Sequence, residues 1–336
     1  MKKTFFIIFL LFQNLLFAEN IKPVMIYDSE LILDKSWNES IHNGLSKFTN
    51  KMNIEVKEVS IVKLEEFEKK VLHYAKEGYN PILINYLDQP KQTIIKKLML
   101  KYPKKRFIIF NGTFNIPNAQ YYIFSSQESS FLAGYLAAKK SETNKLGFIG
   151  GMDIPVIRNF LCGYTKGAKY ANPSVEIVVE FIADNLSAWS SPDKAYTMAT
   201  KQIENGVDII FAPAGGSSLG VLKAASDKKK FSIGVDSNQN YLYPGSVLTS
   251  VVVRVDNASY RALMVAHRNI WREQIKIMGL QEKGVELAFD KYNAKLISNS
   301  LRDELAQLKA DIILKKINLE NYIFSKECAL NDKKIF

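Results

Sequence analysis

The sequence has few of the residues that build covalent or metal-centred chemistry. It contains two cysteines and three histidines among 336 residues. Two cysteines cannot form a disulfide framework, and we interpret Cys162, which falls in a predicted helix, as a small buried hydrophobic residue. The histidines, His42, His73 and His267, also fall in predicted helices, and none has the H-E-x-x-H or other spacing of a zinc site. The sequence therefore predicts no metal site.

Sequence motifs of enzymes and of nucleic-acid-binding proteins are also missing. The chain has no G-x-S-x-G elbow and no G-x-x-x-x-G-K-[ST] loop, and the glycines at Gly215 and Gly216 do not have the spacing of a dinucleotide site. The net charge is +11. Its lysines are scattered, however, and no helix-turn-helix or zinc-finger spacing accompanies them. We predict a protein that is not an enzyme, needs no cofactor and binds no nucleic acid.

Residues 1–18 have the build of a secretory signal peptide. They begin Met1-Lys2-Lys3, continue with the apolar block Phe5–Phe12 and reach a small residue at Ala18. An uncleaved N-terminal anchor is the alternative interpretation. No cysteine stands near this end to carry a lipid. We therefore expect a periplasmic protein that is secreted by a cleavable signal peptide and has no lipid anchor.

Short apolar strands alternate with helical patterns from Ile21 onward, which favours parallel sheets covered by helices. The strands form two sets with the same βα order, and the first set ends near Ser125–Gln127. We predict an α/β fold of two doubly wound, Rossmann-like lobes. The first lobe is expected at residues 19–126 plus about 251–286, and the second at 127–250 plus about 287–336. The predicted strands are Pro23–Tyr27, Ile54–Val59, Pro81–Asn85, Arg106–Phe110, Tyr121–Phe124, Lys145–Ile149, Glu176–Phe181, Asp208–Pro213, Phe231–Val235 and Val247–Val253.

Candidate ligand-binding residues follow the carboxyl ends of these strands, where α/β proteins hold ligands. Asp28 follows the first strand, and Trp37 and Asn38 open the next helix. In the second set, the eighth strand carries Phe211 and the ninth ends at Asp236. Singly, Trp37 and Phe211 could be core residues and Asp236 a turn former. Together they offer an aromatic ring and a hydrogen-bond acceptor from each lobe, which suits a flat ligand with hydroxyl or N–H donors.

Several blocks resemble the basic membrane protein family of ABC-transporter receptors, whose members include purine-nucleoside binders. The densest are DKSWNES (34–40), SSFLAGYLAAK (129–139), GFIGGMDIPVIRNF (147–160), GVDIIFAPAGG (206–216), GVDSNQ (234–239) and VLTS (247–250). The resemblance implies a type I periplasmic binding protein fold with a multi-crossover hinge. It also implies that Trp37 and Phe211 stack the base, that Asp28 and Asp236 match two aspartates of the family, and that Ala212 and Gly216 match its backbone contacts. From the residues themselves, ionised Asp28 and Asp236 would favour ribose hydroxyls or ring N–H donors, and the loop that holds Gly215 can approach a ligand closely.

Four positions depart from the family pattern as we read it. Trp37 replaces a phenylalanine, and Asn238 replaces a second acidic residue. Asn111 stands where relatives have aspartate, and Val253 stands where they have a lysine that contacts the sugar. Trp189 is a further candidate that either closes the pocket or packs beside the following helix.

The sequence thus predicts a monomeric receptor that captures a small heterocyclic molecule, a purine nucleoside above all, and presents it to a membrane permease of an ABC importer. Two alternatives remain open from the residues. One is a ligand-sensing partner of a membrane sensor, and the other is an enzyme that processes nucleosides.

Overall fold

Two open sheets carry the fold. The computed structural model describes residues 21–61, 63, 65–85, 89–112 and 116–325. In chain order the strands are β1 Val24–Tyr27, β2 Lys57–Ser60, β3 Ile82–Ile84, β4 Phe107–Phe110, β5 Ala119–Phe124, β6 Lys145–Gly150, β7 Glu176–Phe181, β8 Ile209–Phe211, β9 Phe231–Asp236, β10 Val247–Val253, β11 Gln274–Met278 and β12 Val285–Leu287. The helices are α1 Trp37–Met52, α2 Glu65–Lys76, α3 Gln89–Lys101, α4 Ser126–Lys140, α5 Pro155–Ala171, α6 Pro192–Glu204, α7 Ser218–Asp227, α8 Val255–His267, α9 Asn299–Ile313 and α10 Tyr322–Ser325. The predicted signal peptide lies outside the described residues.

The first sheet has six strands in the order β11-β5-β4-β3-β1-β2, and all its neighbouring pairs are parallel. Its central strands read as unbroken apolar runs, such as FIIF in β4, because helices cover both faces. Ile108 and Phe110 of β4 therefore enter one apolar cluster, while Phe107 and Ile109 enter another.

The second sheet has six strands in the order β12-β10-β9-β8-β6-β7. Its pairs are parallel except at the edge, where β12 runs antiparallel to β10. The helix α4 packs against α5 in this half of the molecule, whereas α8 packs against α1 beside the first sheet. Each sheet with its helices forms one lobe.

The chain passes between the lobes three times: from β5 to α4, from β10 to α8, and from β11 to β12. Three crossovers between two doubly wound lobes confirm the predicted α/β fold class. All ten predicted strands are present to within three residues at either end. The edge strands β11 and β12 were not predicted.

Strand pairing corrects two of the predicted lobe boundaries. Val251–Val253 belong to β10, and they pair with β12 in the second sheet. Val285 and Glu286 of β12 belong to that sheet as well, although both ranges were assigned to the first lobe. The chain leaves the second lobe only at 254, after β10 ends, and it returns between 278 and 285, between β11 and β12.

The interpretation of Cys162 as a plain hydrophobic residue is wrong. The side chain is buried in α5, as expected, but its sulfur is in a disulfide bond. The other cysteine of the sequence, Cys328, lies outside the described residues. Within the described ranges, no helix is both long and apolar enough to cross a membrane.

Candidate ligand-binding site

A cavity lies between the lobes where the carboxyl ends of the two sheets face each other. The empty space between its lining residues is about 640 Å³, including the open mouth. The first lobe lines it with Asp28, Ser29, Asp34, Trp37, Asn38, Asn85 and Asn111, and the second lobe with Ile154, Val156, Ile157, Phe160, Trp189, Pro213, Gly215, Val235 and Asp236. Of the predicted site residues, Asp28, Trp37, Asn38, Asn111, Trp189, Gly215 and Asp236 therefore reach the cavity.

The first lobe presents four polar side chains, which we call the polar wall: Asp28, Asn38, Asn85 and Asn111. The first three are joined by hydrogen bonds. The amide nitrogen of Asn85 donates to Oδ1 of Asp28 at 2.8 Å and to Oδ1 of Asn38 at 3.1 Å. The other oxygen of Asp28 accepts from Nζ of Lys91 at 3.1 Å, and the lysine side chain is 2% exposed. The cation balances the carboxylate charge from behind the wall.

Trp37 is held in a fixed orientation at the start of α1. Its indole Nε1 donates to Oδ1 of Asn85 at 2.5 Å. Its ring meets Phe124 edge to face, with centroids 5.6 Å apart. The remaining face of the indole is partly exposed and lines the cavity. The arrangement is suited to hold a flat ring against the indole.

Asn111 shapes the end of β4 as well as lining the cavity. Its backbone has a φ of 59°, in the left-handed region that asparagine tolerates better than most residues. Its backbone N–H donates to the carbonyl of Tyr122 at 2.8 Å, and its side-chain oxygen accepts from the backbone N–H of Phe124 at 3.3 Å. The asparagine thus turns the chain at the edge of the sheet.

The second lobe presents mostly apolar side chains, which we call the apolar wall: Ile154, Val156, Ile157, Phe160, Trp189, Pro213 and Val235. Four of these stand at the start of α5, where Pro155 occupies the first turn and its missing N–H costs no hydrogen bond. Their spacing puts them on the side of the helix that faces the first lobe. Trp189 is the one member with a side-chain donor, its indole N–H.

Trp189 closes the apolar wall because Gly151 leaves room for its ring. A Cβ atom on Gly151 would lie 2.2 Å from Cζ3 of Trp189, a distance that no side chain permits. Gly215 also contacts Trp189, and a Cβ atom added there would lie 3.6 Å from Cβ of the tryptophan, an ordinary contact distance. The glycine corner after β6 therefore positions a cavity residue.

The prediction that Phe211 faces the ligand is wrong. Its side chain is 0% exposed, and its ring packs against Tyr164 at 5.3 Å and Phe148 at 5.8 Å between centroids. The side chain points into the interior of the second lobe, below the cavity. Its ring meets Phe160 at 6.0 Å, and Phe160 is the phenyl ring that reaches the cavity. Phe211 supports the site from behind.

Three further predicted residues lie outside the cavity lining. Ala212 is fully buried in a small apolar cluster. Gly216 faces the first lobe, where an added Cβ would stand 3.1 Å from Leu31 Cδ2, so it allows the lobes to approach closely. Asn238 is exposed and donates to Oδ2 of Asp290 at 2.7 Å, because the loop turns away from the cavity after Asp236. Val253 is buried in the core.

Two carboxylates meet at the N-terminus of α1. Asp34 accepts from the backbone N–H groups of Ser36, Asn38 and Glu39 at 2.8, 3.2 and 3.1 Å. Burial raises the pKa of Asp34 to about 6 despite these bonds. Asp236 reaches the same helix end from the second lobe, and burial raises its pKa to about 7, with the nearby Asp34 adding to the shift.

Asp236 and the residues after it fasten the lobes together, in a set of contacts that we call the clasp. Ser36 Oγ donates to Oδ2 of Asp236 at 2.6 Å. The carbonyl of Lys35 accepts from Oγ of Ser237 at 2.5 Å and from Nε2 of Gln239 at 3.0 Å. These bonds run between the lobes, so the structure represents the closed form.

Several cavity residues were not predicted from the sequence. Asn85 ends a predicted strand, so the same rule that found Asp28 could have found it. Phe160 stands on one helical face with Val156 and Ile157, a spacing that marks a packed face but not what it packs against. Among the residues that the structure describes, no group of three or more histidine, cysteine or acidic side chains could hold a metal ion.

Two lobes with three crossovers and a ligand cavity between them define a solute-binding protein of the type I periplasmic binding fold. Residues 21–334 match the family described as ABC transporter substrate-binding protein PnrA-like, and the chain belongs to this family. The family consists of substrate-binding proteins and not of enzymes. This confirms the prediction that the protein is not an enzyme, and it excludes the alternative of an enzyme that processes nucleosides.

Curated relatives and a solved structure agree with this assignment. Basic membrane protein A1 of Borrelia garinii subsp. bavariensis is 32% identical over 306 residues, which cover 86% of each chain. Basic membrane protein D of Borreliella burgdorferi is 34% identical over 218 residues, which cover 61% of this chain and 62% of the relative. A solute-binding protein of an ABC transporter system from Aeropyrum pernix has the same fold, with a TM-score of 0.82 at 23% identity over 90% of this chain and 93% of that one.

Proposed function

We propose that this receptor captures a purine nucleoside or a related flat heterocycle by closing its lobes around it. The observation that carries the proposal is the placement of the Trp37 indole beside the Asp28 carboxylate in one cavity. An aromatic face and an adjacent acceptor suit a planar ring that carries N–H groups. Stacking of a base on an aromatic side chain contributes about 1–3 kcal/mol.

The charge of the cavity favours a neutral ligand over a phosphorylated one. Asp28, Asp34 and Asp236 line it, and carboxylates repel phosphate to the extent that they are ionised. Burial raises the pKa of Asp34 to about 6 and that of Asp236 to about 7, so these two carry negative charge in part or in full at neutral pH. Among the described residues, Asn85 and Lys91 each donate one hydrogen bond to the Asp28 carboxylate. A carboxylate offers about four acceptor positions. Asp28 can therefore take a ring N–H from the ligand as well.

Closure of the lobes would couple ligand binding to transport. The cavity is formed by both lobes, so a ligand that touches both walls binds the closed form more tightly than the open form, and it shifts the population toward closure. The closed surface would then be presented to the membrane permease of an importer. Secretion to the periplasm by the N-terminal signal peptide and a monomeric state complete the proposal.

A thermal-shift screen followed by calorimetry tests the ligand class. Purine bases and nucleosides should raise the melting temperature by mass action, whereas sugars and amino acids should not. Trp37→Ala should weaken the binding of any purine hit by about 5- to 150-fold, the equivalent of the stacking energy.

The matched control is Trp271→Ala. Trp271 is also partly buried, but it stands over Arg106 at 5.5 Å and does not line the cavity. Its loss should leave affinity unchanged. The proposal is wrong if no purine shifts the melting temperature. It is also wrong if Trp37→Ala binds a purine with the same affinity as Trp271→Ala.

A further inference from the structure

The strand β11 leaves one edge of the first sheet unpaired. It stands last in the order of that sheet, and among the described strands it pairs only with β5. The carbonyl of Met278 accepts from the backbone N–H of Ser125, which follows β5, at 3.1 Å. Because the direction of the backbone groups alternates along a strand, the N–H and C=O groups of Ile275 and Ile277 point away from the sheet. An extended chain could pair with these groups.

The two faces of this edge differ in chemistry. Ile275 lies in register with Tyr121, whose side chain packs among residues of α2 and α3. On that face Ile275 and Ile277 are 47% and 50% exposed. Lys276 lies in register with Tyr122 on the opposite face, and its Nζ donates to the Tyr122 hydroxyl at 3.1 Å. Side chains along the edge therefore alternate between an apolar face and a cationic face.

The cationic face borders a groove between β11 and α8. Arg261, Arg268 and Lys276 line this groove together with aliphatic side chains. Within the described ranges, no carboxylate forms an ion pair with these three cations. Burial and the nearby Arg261 lower the pKa of Lys276. Glu273 is the one acidic residue between 268 and 278, and it lies near Tyr121 on the apolar face. The groove therefore favours an acidic side chain from outside.

A second copy of this chain is a poor match for the edge. Two β11 strands joined in one continuous sheet would bring Lys276 of both copies to the same face, and like charges on neighbouring strands destabilise their pairing. A lysine on an edge strand is also a common device against such self-association. An extended segment with acidic side chains meets no such repulsion.

We infer that β11 binds an extended segment of a partner protein in which acidic and apolar residues alternate. The segment adds a strand to the first sheet, as peptides do at exposed sheet edges. Its acidic side chains face Lys276 and Arg261, and its apolar side chains pack on Ile275 and Ile277. No residue of β11 lines the ligand cavity, so this inference goes beyond the proposed function and does not depend on it.

Fluorescence anisotropy with labelled peptides tests the inference. The first probe is a short peptide that alternates valine with glutamate, and the second alternates valine with lysine. The third has the composition of the first, with its glutamates grouped at one end. The wild-type protein should bind the first probe about tenfold more tightly than the other two, because only its charges and its alternation match both faces. Equal binding of the first and third probes would indicate a basic patch without strand pairing and overturn the inference.

Charge reversal at the edge should reverse the preference. Lys276→Glu should bind the first probe about tenfold more weakly, and the second probe more tightly, than the wild type does. The matched control is Lys309→Glu, the same change at an exposed position of α9 on the second lobe, and it should bind as the wild type does. Equal losses in both variants would reduce the effect to net charge and overturn the inference.

Ile275→Pro tests the backbone hydrogen bond. Proline removes an outward N–H that the sheet does not use, so the fold should persist. The first probe should bind this variant more weakly than it binds Ile275→Ala, which removes the side chain alone. Equal affinities would exclude strand addition. If the proline variant fails to fold, the charge reversal decides.

Other occupants of the edge are outcomes of the same experiments. Binding to phosphatidylglycerol vesicles but not to the first probe would assign the surface to a membrane. Self-association in sedimentation velocity that Ile275→Pro abolishes would assign it to a second copy. Either result overturns the inference, as does any failure of the first probe to bind the wild-type protein.

Discussion

The two lobes share a strand order and a sheet type but not a cavity chemistry. The first lobe lines the cavity with a connected set of polar side chains around Asp28, whereas the second lobe lines it with apolar side chains and a buried clasp residue, Asp236. The same architecture therefore serves two purposes. The polar wall sets the orientation of the ligand, while the apolar wall supplies burial once the lobes close.

This comparison makes a general prediction about variants. A change in the polar wall should alter which ligands bind, because it removes a directional contact that only some ligands make. A change in the apolar wall should weaken all ligands together, because burial of apolar area is not directional.

The largest effect is expected from Phe160→Ala in the apolar wall. The ring is 4% exposed and packs on Phe211, so its loss should lower the free energy of unfolding by about 3–5 kcal/mol and weaken all ligands alike. Chemical denaturation measures the stability. Phe289→Ala, at a ring that is 40% exposed, should change stability by about 0.5 kcal/mol or less. Equal stability losses in the two variants would contradict the role of Phe160.

Asp28→Asn in the polar wall should have the next largest effect. The carboxylate provides charge-assisted hydrogen bonds, which contribute about 1.5–3 kcal/mol each, so affinity for ligands with a ring N–H should fall about 10- to 150-fold. Ligands without that N–H should be affected less. Asp153→Asn, at an exposed carboxylate paired with Arg158, should bind as the wild type does. A uniform loss across ligands would remove the distinction between the walls.

Gly151→Ala should disturb the apolar wall through Trp189. The added methyl group would meet the indole, which should cost about 1–3 kcal/mol of stability and reduce ligand affinity. The double variant Gly151→Ala and Trp189→Leu replaces the ring by a smaller side chain, and it should recover stability. Failure of the second change to recover any stability would show that Trp189 is not the residue displaced.

The smallest effect is a pH dependence of closure. Burial raises the pKa of Asp236 to about 7 from an ordinary 3.8, so the closed form is favoured when this group is protonated. Its stabilising contribution is fully present below the ordinary pKa of 3.8 and is lost progressively as pH rises to about 7, with a slope of up to about 1.4 kcal/mol per pH unit for one proton. Ligand affinity should accordingly weaken as pH rises from 3.8 to about 7 and should change little above that.

Asp236→Asn should flatten this profile between about pH 6 and about 7, where Asp34 is already ionised. Asp34, whose pKa is raised to about 6, has a dependence of the same sign at lower pH, and it should remain in the variant. An affinity that rises with pH in the wild type would contradict the assignment of the buried proton to Asp236.

Much of the fold followed from local patterns in the sequence. Buried parallel strands read as short apolar runs, and the helices between them carry clear periodicity, so both sets of strands were found. The strand β11 was missed because it lies at a sheet edge, where QIKIM alternates between partly buried and exposed positions up to the buried Met278 and carries polar residues. The predicted points at which the chain crosses between the lobes differ from the observed ones by two or three residues, because the sequence marks strand ends only weakly.

The site was predicted where it depends on strand ends and missed where it depends on side-chain direction. Asp28 directly follows β1, Asp236 ends β9 and Trp37 opens the helix after β1, and parallel strands align their carboxyl ends. Phe211 was misplaced because a strand buried on both faces has no alternation to show which face a residue takes. No local pattern marks the disulfide of Cys162 or Lys91, whose partner Asp28 is distant in sequence.

Tryptophan fluorescence tests the central claim most directly. Of the three tryptophans, Trp37 and Trp189 line the cavity and Trp271 does not, so in Trp271→Phe every indole signal comes from the site. We predict that titration with a purine base or nucleoside quenches this signal to saturation, with the affinity found by calorimetry. A purine that binds by calorimetry but leaves both indoles unchanged would contradict a flat ligand held between the two lobes.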